Sequence, residues 1–122
     1  MRVGIDIVDI DRLKKVVERT PHFLERVYSQ QELDYCFKKH NPYPSLAVRF
    51  ASKEAFRKLD NSFIRGVRFH DVEVVVAAGG RPELVLHAGA LESARELGIS
   101  RWDLSLAHSQ EQAIATIIAN RG

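Results

Sequence analysis

The hydrophobic pattern at the start of the chain predicts a strand followed by two helices. Valine and isoleucine alternate with polar residues over residues 2–8, which is typical of a strand, and Asp9 or Asp11 can cap the helix that follows. Residues 29–32, Ser-Gln-Gln-Glu, fit a capping box in which the serine and glutamate side chains each bond a free backbone amide. A second helix is therefore expected to run to about Lys39.

The pattern then predicts a loop and a third helix. Residues 40–44 contain two prolines, which disfavour helix in the residues before them. Ser45 is expected to cap the helix that begins there. Its apolar residues recur at helical spacing and should face the core. They are Leu46, Ala47, Phe50, Ala51, Ala55 and Leu59.

The second half of the chain predicts two hairpins with a helix between them. Gly79-Gly80 is the expected turn of the first hairpin, and Gly98 is a usual residue just past the C-terminus of a helix over residues 88–97. The strand-like segments are residues 71–76, 82–87, 102–108 and 113–119.

These elements predict a single α+β domain over residues 1–122, with early helices and antiparallel strands, because no repeat or linker separates them. Residues 113–119 are apolar at nearly every position, so this strand needs cover on both faces. The cover could come from the chain's own helices or from a neighbouring chain.

Composition and charge exclude several classes of function. The chain is 45% hydrophobic and 28% charged, as is usual for globular domains. No apolar run approaches the ~20 residues of a membrane-spanning helix, and the acids of the first strand do not suit a secretory signal, so we expect a cytoplasmic protein. A net charge of +2 gives no reason to expect nucleic-acid binding. The single cysteine, Cys36, is expected to be a buried thiol without a catalytic role.

Basic residues concentrate in two segments, either of which could face an acidic partner or a phosphate-rich ligand. A solvated charged face is the more ordinary explanation of such runs. The first segment contains Arg12, Lys14, Lys15, Arg19 and Arg26. The second contains Arg49, Lys53, Arg57, Lys58, Arg65 and Arg68.

Two acidic residues stand out in this pattern. Asp6 lies in the middle of an apolar strand, where it needs either a partner, such as a nearby arginine or a backbone amide, or a functional role. Glu54 lies four residues before Lys58, so the two could form an ordinary surface ion pair. Together, with Arg49, Lys53 and Lys58 around them, the two acids suggest magnesium on a polyphosphate, because Mg²⁺ takes one or two carboxylates plus phosphates and water.

Two segments carry a family resemblance. Residues 4–12, from Gly4-Ile5-Asp6-Ile7 to Arg12, resemble the GxDIxxxxR signature of holo-acyl-carrier-protein synthases, and residues 49–56, RFASKEAF, resemble their RFAxKEAF signature. The likeness extends over essentially the whole chain. It implies a 4'-phosphopantetheinyl transferase fold and the transfer of 4'-phosphopantetheine from coenzyme A to a serine of apo acyl carrier protein, which leaves adenosine 3',5'-bisphosphate.

The same resemblance implies roles for individual residues. Asp6 and Glu54 would hold magnesium against the coenzyme A pyrophosphate, and Lys58 would contact the transferring phosphate. The base that activates the serine would be Glu54 or a metal-bound water polarised by it. Arg12 would contact the acidic carrier protein. The working protein would be a homotrimer that binds coenzyme A between neighbouring subunits. The residues expected near the nucleotide and phosphates are Arg49, Lys58, Gly80, Arg81, Pro82, His108 and Ser109.

The chain departs from the family pattern in two places. Residues 57–63, RKLDNSF, replace a glycine-containing KALGTG turn, and Ala107 replaces the second serine of a SISH motif. A noncatalytic module that binds a carrier protein or nucleotide, and an unrelated magnesium phosphohydrolase, are the alternatives. The sequence leaves open which carrier protein is physiological, whether it serves fatty-acid or other synthesis, whether acylated coenzyme A is accepted, and which subunit supplies each residue.

Overall fold

The computed structural model describes residues 1–122 and contains six α-helices and five strands. The helices are α1 (Ile10–Arg19), α2 (Phe23–Val27), α3 (Gln30–Phe37), α4 (Tyr43–Arg57), α5 (Phe63–Gly66) and α6 (Ala88–Glu96). The strands are β1 (Arg2–Asp9), β2 (Val72–Val76), β3 (Pro82–Leu86), β4 (Ile99–His108) and β5 (Gln112–Arg121). A single 3₁₀ turn covers Phe69–Asp71. No helix combines the length and the apolar character needed to cross a lipid bilayer.

The strands form two antiparallel units. The larger sheet has the order β1-β5-β4, so the last strand lies between the first and the fourth. Strands β2 and β3 form a separate hairpin, whose Leu84 carbonyl oxygen accepts a 2.8 Å hydrogen bond from the indole N–H of Trp102 on β4. Gly79 and Gly80 have φ angles of 91° and 85° in the β2–β3 turn, which glycine adopts without strain. The predicted α+β class and both hairpins are confirmed.

Helix α4 packs against the inner face of the larger sheet, where small residues permit a close approach. Ala113, Ala115 and Ala119 of β5 are buried beneath the helical layer. Gly4 of β1 lies so close to α4 that a Cβ atom at this position would be 2.0 Å from the carbonyl oxygen of Ala55. The glycine of the first motif therefore allows β1 and α4 to come together.

A methyl group at position 4 should disrupt this contact. We expect Gly4→Ala to lower the free energy of unfolding by about 1–3 kcal/mol, the usual cost of overpacking a core. Urea denaturation measures the change. Gly66→Ala is a suitable control, because its Cβ would meet only the Ser93 hydroxyl at an ordinary 3.4 Å. Equal stability of Gly4→Ala and the unmodified protein would contradict the proposed close contact.

The ends of the early helices test the predicted capping residues. Asp9 caps α1, because its carboxylate accepts a 2.9 Å bond from the Arg12 amide. The capping box of Ser29 and Glu32 is confirmed at the start of α3. Helix α3 ends at Phe37, two residues before the predicted end, which is within the usual variation of helix boundaries.

The predicted start of α4 is wrong. Ser45 is not its cap, since the helix begins at Tyr43 and includes Pro44 in its first turn. Proline is tolerated there because amides in the first turn have no partner within the helix to lose. The side chain of Asn41 accepts a 3.2 Å bond from the Tyr43 amide and satisfies one of these groups.

The outer face of the larger sheet is exposed, and it is apolar along β1 and β5. Val3, Ile5 and Ile7 of β1 and Ile114 and Ile118 of β5 are each between 36% and 58% exposed. The register pairs Val3 with Ile118 and Ile7 with Ile114, while Ile5 pairs with Thr116. The five apolar side chains therefore lie side by side on this face, and we call them the outer patch. The chain's own helices cover only the opposite face, so they do not supply the two-sided cover that the strand pattern requires.

Candidate active site

Asp6 lies on the inner face of β1, next to the end of α4. Its side chain is 15% exposed, and its Oδ1 atom accepts a 2.7 Å hydrogen bond from the Nζ of Lys58. The ordinary partner expected from the sequence was an arginine or a backbone amide; the partner observed is a lysine 52 positions away. This ion pair explains how an apolar strand accommodates a carboxylate.

Glu54 lies one helical turn before Lys58 and lines the same cavity as Asp6. Because Lys58 bonds Asp6, the surface ion pair between Glu54 and Lys58 does not form, and Glu54 makes no ion pair at all. The cavity has a volume of about 440 Å³. Arg12 of α1 and the apolar side chains of Leu13 and Phe50 also line it. The two predicted metal ligands and the predicted carrier-protein contact therefore meet at one place.

The oxygen ligands of this cavity suit magnesium held together with a polyphosphate. Asp6 and Glu54 come from separate elements, and no group of three or more histidine, cysteine or acidic side chains is arranged to hold a metal by itself. Structural zinc needs such a complete protein ligand set, whereas Mg²⁺ usually takes one or two carboxylates and completes its shell with phosphate oxygens and water. The residues present therefore fit Mg²⁺ when a phosphate ligand accompanies it.

Most of the residues predicted to contact the nucleotide lie elsewhere in the chain. Arg81 and Pro82 line a cavity of about 490 Å³ beside Trp102. His108 and Ser109 are exposed at the turn between β4 and β5. Gly80 is exposed in the β2–β3 turn. Within one chain, the fold places none of these residues in the cavity that Asp6 and Glu54 line.

Arg49 occupies a third cavity, of about 320 Å³, between α3, α4 and β2. It is 4% exposed, its guanidinium stacks on the Tyr35 ring at 4.6 Å, and it donates a 3.2 Å bond to the Ser45 carbonyl oxygen. Its Nε atom has no hydrogen-bond partner. Its guanidinium has no carboxylate partner and lies outside the cavity of Asp6 and Glu54, so its contact with a phosphate stays a prediction.

The second basic segment is not one charged surface. Lys53, which the sequence places around the magnesium site, is fully buried and points away from it to bond Glu32 at 2.8 Å. Burial lowers the pKa of Lys53, against the opposing effect of the Glu32 carboxylate. Arg57 stacks on the Phe69 ring and donates to the Ile64 carbonyl oxygen. The sequence gives no sign of the Lys53–Glu32 pair, because a charged residue on a helix is usually solvated.

The residues that replace the family's glycine-containing turn form a turn around Asp60. Its carboxylate accepts bonds from the Ser62 hydroxyl at 2.5 Å and the Ser62 amide at 3.0 Å, and from Arg2 at 2.8 Å. These Ser62 donors, together with Arg2, hold the pKa of Asp60 below its usual value. The segment after Lys58 is thus fixed to β1 by side-chain bonds, without glycine.

The single cysteine has no catalytic environment. Cys36 is fully buried, and burial raises the pKa of its thiol. The neighbouring Tyr28 donates a 2.8 Å bond to the Leu46 carbonyl oxygen, and burial raises its pKa well above the usual value. Both side chains belong to the core, as predicted for Cys36.

Comparisons with known proteins identify the family. The model of the 4'-phosphopantetheinyl transferase superfamily matches residues 2–117. The holo-[acyl-carrier-protein] synthase of Caldanaerobacter subterraneus subsp. tengcongensis is 40% identical over 120 residues, which cover 98% of this chain and 94% of that protein.

Solved structures show the same architecture. The holo-[acyl-carrier-protein] synthase of Neisseria meningitidis has a TM-score of 0.87 at 31% identity, with 98% of each chain covered. The Helicobacter pylori synthase, solved in complex with coenzyme A, has a TM-score of 0.79 at 30% identity, with 97% of this chain and 99% of that chain covered. The resemblance carried by the two motifs is confirmed. The chain is a transferase and belongs to the 4'-phosphopantetheinyl transferase superfamily.

Proposed function

We propose that this enzyme transfers 4'-phosphopantetheine from coenzyme A to a serine hydroxyl of an apo acyl carrier protein and releases adenosine 3',5'-bisphosphate. The observation that carries the proposal is that Asp6, Glu54 and Arg12 line one cavity and that Lys58 bonds Asp6 there. The relatives named holo-[acyl-carrier-protein] synthases, and the H. pylori synthase solved with coenzyme A, support this pair of substrates.

The proposed site has a distinct task for each charged group. Asp6 and Glu54 would hold Mg²⁺ when coenzyme A is present, and the ion would neutralise charge on the pyrophosphate. The Lys58 side chain is 53% exposed, so its ammonium can turn from Asp6 to an oxygen of the transferring phosphate. Glu54 is free of ion pairs and can accept a proton, directly or through water.

The bond changes then balance without a further reactant. The serine oxygen attacks the β-phosphorus of coenzyme A, and the P–O bond to the leaving nucleotide breaks. The serine proton passes to Glu54, directly or through a water that Glu54 polarises, and the negative charge leaves with adenosine 3',5'-bisphosphate. Positioning and charge stabilisation supply most of the catalysis in phosphoryl transfer, which is why the proposal depends on the placement of Lys58 and the two acids.

We also propose that the working form is a homotrimer, as the family resemblance implies. Two observations support it. The outer patch leaves one face of the larger sheet without cover, and Arg81 and Pro82 lie outside the cavity of Asp6 and Glu54 in the same chain. A neighbouring subunit can cover the patch and bring its β2–β3 turn to the phosphate site.

A single assay tests the proposed reaction. The protein is incubated with coenzyme A, Mg²⁺ and an apo acyl carrier protein, and the carrier is weighed by mass spectrometry. A carrier heavier by one phosphopantetheine group, with no gain in the presence of a chelator, is the expected result. Binding of both partners without modification would indicate a noncatalytic module, and cleavage of coenzyme A without the carrier would indicate a phosphohydrolase.

A cytoplasmic location and a role in fatty-acid synthesis stay predictions.

Arg12→Glu should weaken the use of the carrier protein much more than the use of coenzyme A. Arg12 is exposed on α1 at the cavity, where a charge reversal repels an acidic partner and reduces its association rate. We expect the KM for the carrier to rise about tenfold and its salt dependence to weaken, while the KM for coenzyme A changes little. Arg95→Glu on α6 makes the same charge change away from the cavity and serves as the control. An equal effect on both Michaelis constants would remove Arg12 from the carrier surface.

A further inference from the structure

The buried ion pair between Lys53 and Glu32 joins α4 to three other segments. The Lys53 ammonium donates to Glu32 Oε1 at 2.8 Å, to the Phe69 carbonyl oxygen at 3.1 Å and to the Val72 carbonyl oxygen at 2.5 Å. These acceptors belong to α3, the 3₁₀ turn and β2. An ammonium has three N–H donors, so every donor of this side chain is used.

Both oxygens of the Glu32 carboxylate are also bonded to the backbone. Its Oε1 atom also accepts the Ser29 amide at 2.9 Å, and its Oε2 atom accepts the Val74 amide at 3.0 Å. The side chains of Lys53 and Glu32 are both 0% exposed. The lysine is therefore bonded to a carboxylate that is itself fixed to the backbone of two elements.

A second constraint acts on the opposite side of α4. Successive helical residues are about 100° apart around the axis, so Ala55 lies nearly opposite Lys53. The Ala55 carbonyl oxygen is in close contact with Gly4 of β1. Glu54 lies between these two positions, and Lys58 follows it on nearly the same face. The two contacts together fix how far α4 is rotated, and this rotation decides whether Glu54 and Lys58 face Asp6.

We infer that Lys53 is a positioning residue for the transfer reaction. It acts through its bonds to Glu32 and to the backbone carbonyls, which set the rotation of α4 and hold Glu54 and Lys58 against Asp6. The inference rests on the proposed function of these three residues. A buried ion pair is often no more stabilising than apolar side chains of similar volume, so directional placement of the helix is a better reason for it than stability.

The test separates positioning from stability by removing both charges together. Lys53→Met alone leaves the Glu32 carboxylate buried without its cation and should lower the thermal midpoint. The double variant Glu32→Gln/Lys53→Met nearly keeps the side-chain volumes and buries no charge, so its thermal midpoint should lie above that of Lys53→Met alone. Its kcat should nevertheless stay about tenfold to a hundredfold lower, because small displacements of catalytic groups have effects of this size.

Two further measurements distinguish misplaced catalytic groups from a damaged fold. Binding of Mn²⁺ in the presence of coenzyme A, followed by calorimetry, should weaken in the double variant, because Glu54 no longer faces Asp6. The KM for the carrier protein should stay unchanged, since Arg12 is on α1. Ser52→Ala is the control, because the Ser52 hydroxyl is buried on the same helix but bonds only the Val48 carbonyl oxygen of that helix.

Each outcome decides the inference. A stable double variant with reduced kcat and weaker Mn²⁺ binding supports it, and a stable double variant with the activity and Mn²⁺ affinity of the unmodified protein overturns it. If the double variant does not fold, Glu32→Gln alone is measured well below its unfolding temperature. Full kcat in that variant overturns the inference. Reduced kcat together with weaker Mn²⁺ binding supports it. Absence of transfer by the unmodified protein in the same assay would instead refute the proposed function.

Discussion

Asp6→Asn and Glu54→Gln should each lower kcat by about a hundredfold or more. Each change removes one negative charge from the cavity and keeps the size of the side chain. Loss of one electrostatic contact to a transition state commonly costs this much, and at the proposed site the loss should also weaken Mg²⁺ binding. Steady-state transfer to the carrier at several Mg²⁺ concentrations measures both effects.

The fold should survive both substitutions. Asp6→Asn removes the charge of a largely buried carboxylate together with its ion pair, and the Lys58 ammonium is 53% exposed and can turn to water, so neither charge is left buried without a partner. Glu54 forms no ion pair, so Glu54→Gln removes no favourable pairing and lowers the negative charge of the cavity that Asp6 also lines. We therefore expect the thermal midpoint of Glu54→Gln to equal or exceed that of the unmodified protein.

A carboxylate outside the cavity supplies the control for these two variants. Glu92→Gln makes the same change at an exposed position of α6 and should leave kcat and its Mg²⁺ dependence unaltered. If Asp6→Asn or Glu54→Gln retained nearly full turnover at limiting Mg²⁺, the proposed metal site would be wrong.

The sequence predicts the strands and the paired acids because their signals are local or lie in motifs. The alternation in β1 fixes the face on which Asp6 lies, and the capping patterns at Asp9 and Ser29 fix two helix starts. The meeting of Asp6 and Glu54 follows from the family resemblance. Spacing alone does not reveal it, since the contact that brings their elements together is a carbonyl oxygen against Gly4.

The features that the sequence misses depend on long-range partners or short segments. Lys53 and Glu54 are adjacent in sequence, yet one is buried against Glu32 and the other lines the cavity, because successive helical residues point about 100° apart. The partner that holds Asp60 is Arg2, which is 58 positions away. Helices α2 and α5 have only five and four residues, too few for an apolar repeat to show.

Ile5→Glu should dissociate the proposed homotrimer and abolish most of its activity. Ile5 is 58% exposed within the chain, so a glutamate there leaves the monomer's core intact, but in the outer patch it would place a charge inside a subunit interface. Light scattering should show the mass of three chains for the unmodified protein and of one chain for Ile5→Glu. Ile64→Glu on α5 makes the same change at a position that is 55% exposed and outside the larger sheet, and it should keep both the trimer and the activity.

A shared site gives this prediction a second, sharper form. Asp6→Asn should inactivate the proposed magnesium side of a site, and Arg81→Glu should inactivate the proposed nucleotide side, since Arg81 lies in a different cavity of the same chain. If each site takes Asp6 from one subunit and Arg81 from its neighbour, trimers that mix the two inactive chains contain some sites with both residues intact. Mixing and re-forming the trimers should then restore part of the activity, whereas each variant alone stays inactive. A monodisperse monomer with full activity at the assay concentration would refute the trimer. If the trimer is confirmed but the two variants do not complement each other, only the assignment of Asp6 and Arg81 to different subunits is refuted.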